Sequence, residues 1–394
     1  AEFHDGKTIG ADDLIYTVQR IFETQAPVAS LMSFVDPNGM KKLDNRTVEF
    51  TLLTPTSLFT TPFGGSEAGI VPVGYDPANP IGSGPFSFES FTPGQQSVFN
   101  RFDNYFGDPA FVDKLTIISF QDDDSRVNAL LSGQVDAIET VPYGQVTVID
   151  GTSGLTTFKS DSAANLIFTM RVDTPPFDDV RVRQAMRLLV DREQLVQQAL
   201  VGYGTVANDL FCRDDAAFAS DIPQRKQDIA EAKRLLAEAG LENLEIELVT
   251  APVQAGLVEA SQIFVQQAKA AGVNVNLRKL DANAYFEGYG EWPFSVDYWD
   301  VSSYFQQMAL NSLPSSTYNT GKFDDPEFND LYAQGVSELD ETKRDAIARK
   351  MQEIEHERGA YIVWGYRNLI DGLSTNVTGV PENNVGLSFY SYSF

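Results

Sequence analysis

The chain has 394 residues, 43% of them hydrophobic, with 55 acidic against 29 basic side chains and a formal net charge of -26. The length predicts two lobes, and the apolar content excludes a disordered chain. The acidity excludes nucleic acid and an anionic membrane surface as main partners, because both need clustered Lys and Arg, and it suits a surface that keeps the protein soluble.

In chain order, His4-Asp5-Gly6 is turn chemistry, and Asp12 and Asp13 stand where a helix's first turn favours carboxylates, with Leu14, Ile15, Val18, Ile21 and Phe22 at helical spacing. Val48, Phe50 and Leu52 alternate as a strand, and the Gly/Pro-rich stretch 63–85 reads as a loop. Phe86 to Phe91, the Pro93-Gly94 turn and Val98 to Phe102 make a hairpin. Residues 114–120 are apolar enough for a buried strand; Asp124 is expected to cap a helix that ends at Gly133, and 135–140 follows as a short strand. Residues 165–171 form a strand, and Val182, Ala185, Met186, Leu189 and Val190 give one apolar helix face. Asp191 with Gln194, and Asp228 with Glu231, have capping-box spacing. Strand 244–248, a helix through Ile263, Phe264 and Ala268, and strand 273–277 form a βαβ unit with a parallel crossover. The stretch 281–320 is aromatic and weakly periodic; helices near 325–336 and 341–358 and a strand at 361–364 follow.

Cys212 is the single cysteine, so no intrachain disulfide forms. No run approaches the ~20 apolar residues of a membrane span. Ala1-Glu2-Phe3-His4 has neither the basic nor the apolar region of an export signal, which is therefore expected upstream. The two histidines, His4 in a turn and His356 in a charged helix, suggest no convergent triad or metal site. Asp122-Asp123-Asp124 lacks the ligand spacing of a calcium loop, and Gly82-Ser83-Gly84 lacks the Lys-Ser/Thr of a phosphate loop. No metal and no cofactor are expected.

Four segments carry a resemblance. They are Phe3-His4-Asp5-Gly6-Lys7 with Ala11-Asp12-Asp13-Leu14; Gly82-Ser83-Gly84-Pro85-Phe86 with Asn104-Tyr105-Phe106-Gly107; 124–136, DSRVNALLSGQVD; and 175–184, PPFDDVRVRQ, with Asp191-Arg192-Glu193 and Gly202-Tyr203-Gly204-Thr205. In this order they resemble the family 5 extracellular solute-binding proteins, the oligopeptide-, dipeptide- and nickel-binding group that serves ABC importers. The resemblance implies an α/β, two-lobe periplasmic-binding-protein fold with a hinge. Lobe I would be 1–170, lobe II 171–365, and 366–394 would return to lobe I, with crossovers near 171–173 and 364–368. Family members carry several dozen residues before the first motif, so the N-terminal part of lobe I is expected to be missing here. The resemblance also implies a non-enzymatic, monomeric receptor that is extracytoplasmic, either periplasmic or lipid-anchored, and that hands its ligand to the permease's transmembrane subunits.

The segment 292–305, WPFSVDYWDVSSYF, resembles the family's W-x-x-D-Y-x-D-P motif, whose first Asp pairs with a peptide's α-ammonium; the matching residue is Asp297. A carboxylate in a dry cleft makes a strong charge-assisted bond to an ammonium. Trp299 stands near where the family often has Pro, and Tyr298, Trp299 and Tyr304 are taken as further ligand contacts, with Val141 and Pro142 as candidates beyond a lobe I strand end. The expected ligand is a peptide or similar solute held between the lobes. An oligosaccharide or metal chelate on the same scaffold is the alternative, the aromatic residues near Trp299 raising the sugar possibility, and an extracellular hydrolase is a third reading that lacks a nucleophile–base pair.

Overall fold

The computed structural model describes residues 1–64 and 68–380. The chain forms two compact units. One runs from Ala1 to Ser160 and resumes at Ile370; the other is Asp161–Leu369. These limits differ from the expected 170 and 365. The reason is the pairing of strand Asn165–Met170, whose neighbours on both sides are strands of the second unit, Phe294–Trp299 and Tyr361–Arg367. A strand belongs with the partners of its backbone hydrogen bonds. The part of the expected 366–394 return beyond residue 380 lies outside the described residues.

In the first unit, helix Ala11–Glu23 starts at Gly10, whose N–H donates to the Asp13 carboxylate at 3.0 Å. Asp13 is buried, which by itself would raise its pKa; Lys7 and the N–H groups of Val73 and Gly10 outweigh that and hold it below the usual carboxylate range. His4 ties two of the sequence motifs together. Its Nδ1 accepts from the Gly82 N–H at 3.3 Å, so Nε2 carries the proton and donates to the Gly84 carbonyl at 3.0 Å. The hairpin expected around Gly94 is present as Phe86–Thr92 and Gln96–Arg101, with Gly94 at φ 69°. Strand Lys114–Ile118 extends it antiparallel, but at the sheet edge and largely uncovered, with Ile117 42% exposed, not buried as its composition suggested. Helix Asp123–Leu131 is capped by Asp122, not Asp124.

The second unit is built on a six-stranded sheet in the order Asn274–Lys279, Glu245–Thr250, Phe294–Trp299, Asn165–Met170, Tyr361–Arg367 and Gly204–Val206. The first three strands run parallel, with helix Leu257–Lys269 as the βαβ crossover, and the rest pair antiparallel. The weakly periodic stretch contains three short elements, helix Ala282–Glu287, strand Phe294–Trp299 and helix Tyr304–Asn311. Asp191 and Asp228 cap their helices, yet neither forms a full capping box, because the Gln194 amide faces Gln198 and Gln267 and Glu231 faces Arg234.

Two arginines of helix Val180–Leu189 close the end of helix Glu341–Arg358. Arg183 donates to the carbonyls of Arg358 (2.7 Å) and Gly359 (3.2 Å), and Arg187 to those of Gly359 (2.5 Å) and Tyr361 (3.3 Å). Cations here satisfy carbonyls that have no intrahelical partner and complement the helix dipole. Nearby, buried Asp209 accepts from Arg192 at 2.6 Å and Arg225 at 2.8 Å, and Arg225 also donates to the His356 carbonyl at 2.6 Å. Removing one partner of a buried ionic network leaves the others unpaired. Asp209→Ala is therefore expected to cost on the order of 3–5 kcal/mol in urea unfolding; an unchanged midpoint and slope would show that the network contributes nothing.

Candidate functional site

The central strands of the second unit have two different faces. Opposed residues in a ladder share a face and successive residues alternate. Leu166, Phe168 and Met170 therefore lie with Phe294, Val296 and Tyr298 on one face, and Asn165, Ile167 and Thr169 with Ser295, Asp297 and Trp299 on the other. The first is the packed core: Phe264 of helix Leu257–Lys269 stands 5.0 Å from Phe168 and 5.6 Å from Phe294, ring centre to ring centre. The second carries the polar side chains.

Asp297 is 5% exposed. Its Oδ2 accepts from the Tyr289 hydroxyl at 2.7 Å and its Oδ1 from the Tyr298 backbone N–H at 2.8 Å. Among the described residues, no Lys, Arg or His pairs with it. Burial pushes its pKa up to about 6, against the lowering effect of the two hydrogen bonds. The same burial, with Asp297 alongside, pushes the Tyr289 phenol well up, so it remains a donor. Tyr289 continues into an aromatic wall: Tyr318 lies 6.5 Å away at 71°, and Trp299 stands 6.2 Å from Tyr318 at 85°. A buried carboxylate beside aromatic rings, with no cation of its own, is a site suited to an organic cation.

Some unmet hydrogen-bonding capacity lies on this face, as it does elsewhere in the unit. Asn165 Oδ1, Thr169 Oγ1 and Trp299 Nε1 are all shielded from solvent and have no partner. Each such group costs about 1–3 kcal/mol, and buried groups of this kind in native proteins call for an explanation.

The structure brings together Asp297 and Trp299 of the expected residues. Tyr298 contributes its backbone N–H to Asp297, while its side chain lies on the other face of the strand. Tyr304 is 2% exposed and its hydroxyl is committed to Glu355 at 2.6 Å. Val141 and Pro142 belong to the other unit, where the Val141 N–H donates to the Ile370 carbonyl at 2.7 Å. A groove of about 460 Å³ in that unit is lined by 114–118 and 134–139 and does not include them. Sequence reading missed Tyr289, Tyr318 and Asn165. Tyr289 and Tyr318 lay in the aromatic stretch without a periodicity to orient them, and Asn165 is marked out only by the strand register opposite Trp299.

Among the described residues, no group of three or more His, Cys, Asp and Glu side chains is placed to hold a metal ion, and no helix is long and apolar enough to cross a membrane.

Comparison with known proteins adds the following. Residues 1–321 match the family model described as bacterial extracellular solute-binding proteins, family 5, middle. The glutathione-binding protein GsiB of Escherichia coli K12 is 25% identical over 97% of this chain and 83% of its own length. Two solved structures show the same fold. The periplasmic binding protein DppA of Helicobacter pylori, in complex with the peptide STSA, has a TM-score of 0.88 at 19% identity, covering 99% of this chain and 84% of that one. NikZ of Campylobacter jejuni, with Ni(L-His), has a TM-score of 0.90 at 19% identity, covering 100% and 86%.

The state of Asp297 has a consequence for stability. Its folded pKa lies above its unfolded value near 4, so the folded protein holds the extra proton between about pH 4 and 6. Stability therefore falls as pH rises through that window, by on the order of 3 kcal/mol once the carboxylate is fully ionised. Urea unfolding of the ligand-free protein from pH 4 to 8 should show this fall on top of the one due to buried Glu355, whose pKa is pushed up to about 8, and Asp297→Asn should make the profile shallower by the Asp297 share alone. Parallel pH profiles for the two proteins would mean that Asp297 is not desolvated.

Proposed function

The chain belongs to the bacterial extracellular solute-binding proteins of family 5, and on that premise we propose that it is the extracytoplasmic receptor of an ABC importer, capturing peptides or peptide-like solutes through a free ammonium group. The observation that carries the ligand class is Asp297, a buried carboxylate held by Tyr289 and the Tyr298 N–H with no cation beside it among the described residues. An α-ammonium supplies the missing charge, and the aromatic rings of Tyr289, Tyr318 and Trp299 suit its apolar surroundings. The glutathione-binding relative and the neighbour that holds the peptide STSA are consistent with this class. Tyr304 we read as a support of the segment, and Val141 and Pro142 as secondary candidates. The receptor acts as a monomer, in the periplasm or lipid-anchored, and delivers its ligand to the permease.

Calorimetry with trialanine tests this. Asp297→Ala should weaken binding by about 2–4 kcal/mol, roughly thirty- to thousand-fold, because the ligand's ammonium is then desolvated without a partner. N-acetyl-trialanine should bind the wild type poorly and be distinguished far less by the mutant. Binding takes the ionised carboxylate and the peptide's protonated amine, so affinity should be greatest between about pH 6 and 8, falling by about tenfold per pH unit below that range and again above it as the α-ammonium loses its proton. The peptide should be recovered intact; hydrolysis that a point mutation abolishes would revive the enzyme reading. Equal affinity of wild type and Asp297→Ala for free-amine peptides would remove the basis for a peptide ligand and leave the oligosaccharide or metal-chelate alternative.

A further inference from the structure

The ammonium accounts for Asp297 but not for its neighbours. On the same face, Trp299 is the next residue but one along the strand, roughly 7 Å on, and it is paired across the ladder with Asn165. Trp299 offers an indole N–H with no acceptor, and Asn165 an amide oxygen with no donor. Asn165 is 1% exposed, and its other polar atom, Nδ2, already donates to the Ala163 carbonyl at 3.3 Å. The Trp299 ring stands edge-on to Tyr318 at 6.2 Å. Thr169 Oγ1, opposite Ser295 on the same face, is a third open atom; the Trp299 donor and the Asn165 acceptor, adjacent across the ladder and beside a buried carboxylate, are the complement of a single peptide unit, which carries one C=O and one N–H.

We infer that Trp299 and Asn165 are specificity-determining residues that read the first amide of the ligand, the Trp299 N–H donating to its carbonyl and the Asn165 side-chain oxygen accepting its N–H. This rests on Asp297 as the partner of the α-ammonium: in an N-terminal residue the ammonium nitrogen is three bonds from both the carbonyl oxygen and the next amide nitrogen, so the three groups are met together. The site then demands more than a charge. It selects a free α-amine followed by a secondary amide, and disfavours ligands whose second residue is proline or N-methylated, because these leave Asn165 buried and unpaired.

The test changes the ligand first, so that it does not depend on a variant's folding. Calorimetry compares trialanine with the depsipeptide in which an ester oxygen replaces the first amide nitrogen, and with Ala-Pro-Ala. Wild type should bind trialanine about tenfold or more tightly than either analogue. Asn165→Ala should bring the amide and the ester to nearly equal affinity. Trp299→Phe keeps a ring but not the N–H; it should weaken both by a similar factor and leave their ratio intact, which loss of packing at Asn165 would not reproduce. If amide and ester bind the wild type equally while Asp297→Ala still abolishes binding, the amide reading is wrong, an ordered water satisfies the two atoms, and the ammonium site stands. If Asp297→Ala also changes nothing, both readings fall.

Discussion

The end of helix Glu341–Arg358 is the point on which the second unit turns. A helix that stops in the interior leaves carbonyls without partners, and here the chain must turn at once into strand Tyr361–Arg367, a central strand of the sheet. Arg183 and Arg187 resolve both demands, since their guanidinium groups bind the carbonyls of the last helical residue and of the turn that follows. Arg187 is fully buried, and desolvation lowers its pKa to about 9, still charged at neutral pH. Fixing this corner fixes Tyr361 opposite Thr169, and through strand Asn165–Met170 it fixes the register that sets Trp299 opposite Asn165. The polar face is thus positioned by arginines that do not belong to it.

The two faces of that sheet solve different problems. On one, Phe168, Phe294 and Phe264 interlock with Trp364 and Phe177, the ordinary way to remove apolar surface from water. On the other, burial has been imposed on groups that gain nothing from it in the ligand-free state: a carboxylate without a cation and three polar atoms without partners. Elsewhere in the unit buried charged groups are hydrogen-bonded, as in Arg192–Asp209–Arg225 and Tyr304–Glu355, although single atoms such as Arg192 Nε and Glu355 Oε1 stay open there too. Each partner that a ligand supplies to the polar face is worth most there, because water cannot substitute for it.

Much of the scaffold was legible in sequence because its signals are local. The βαβ unit ending at Lys279 and helix Glu341–Arg358 stand where the residue pattern placed them. Local signals failed where they were degenerate. Three consecutive aspartates give no means of choosing Asp122 as the cap, and six-residue elements such as Ala282–Glu287 and Phe294–Trp299 are too short for a period to emerge. The apolar strand Lys114–Ile118 was read as buried because composition reports what a residue prefers, not whether the fold covers it. At the site, Asp297 could be reached through its motif, but Tyr289 and Asn165 could not: their roles depend on a hydrogen bond across a turn and on a strand register between distant segments.

This difference separates what the family motifs specify from what decides the ligand. His4 links the first motif to Gly82 and Gly84, Asp13 organises the first helix, and Arg183 in the VRVRQ stretch caps a distant one. These are folding devices of this chain, whose fold is also that of structures only 19% identical to it. They say nothing about cargo. On the proposed reading, cargo is decided by which hydrogen-bonding groups are left open on the polar face, where Asp297, Trp299, Asn165 and Thr169 lie. A substitution at Trp299 or Asn165 leaves every capping and register interaction named above in place while changing the donor and acceptor pattern that a ligand meets. On the proposed reading, selectivity can change without loss of fold, through residues such as Asn165 that lie outside the capping and turn motifs named above.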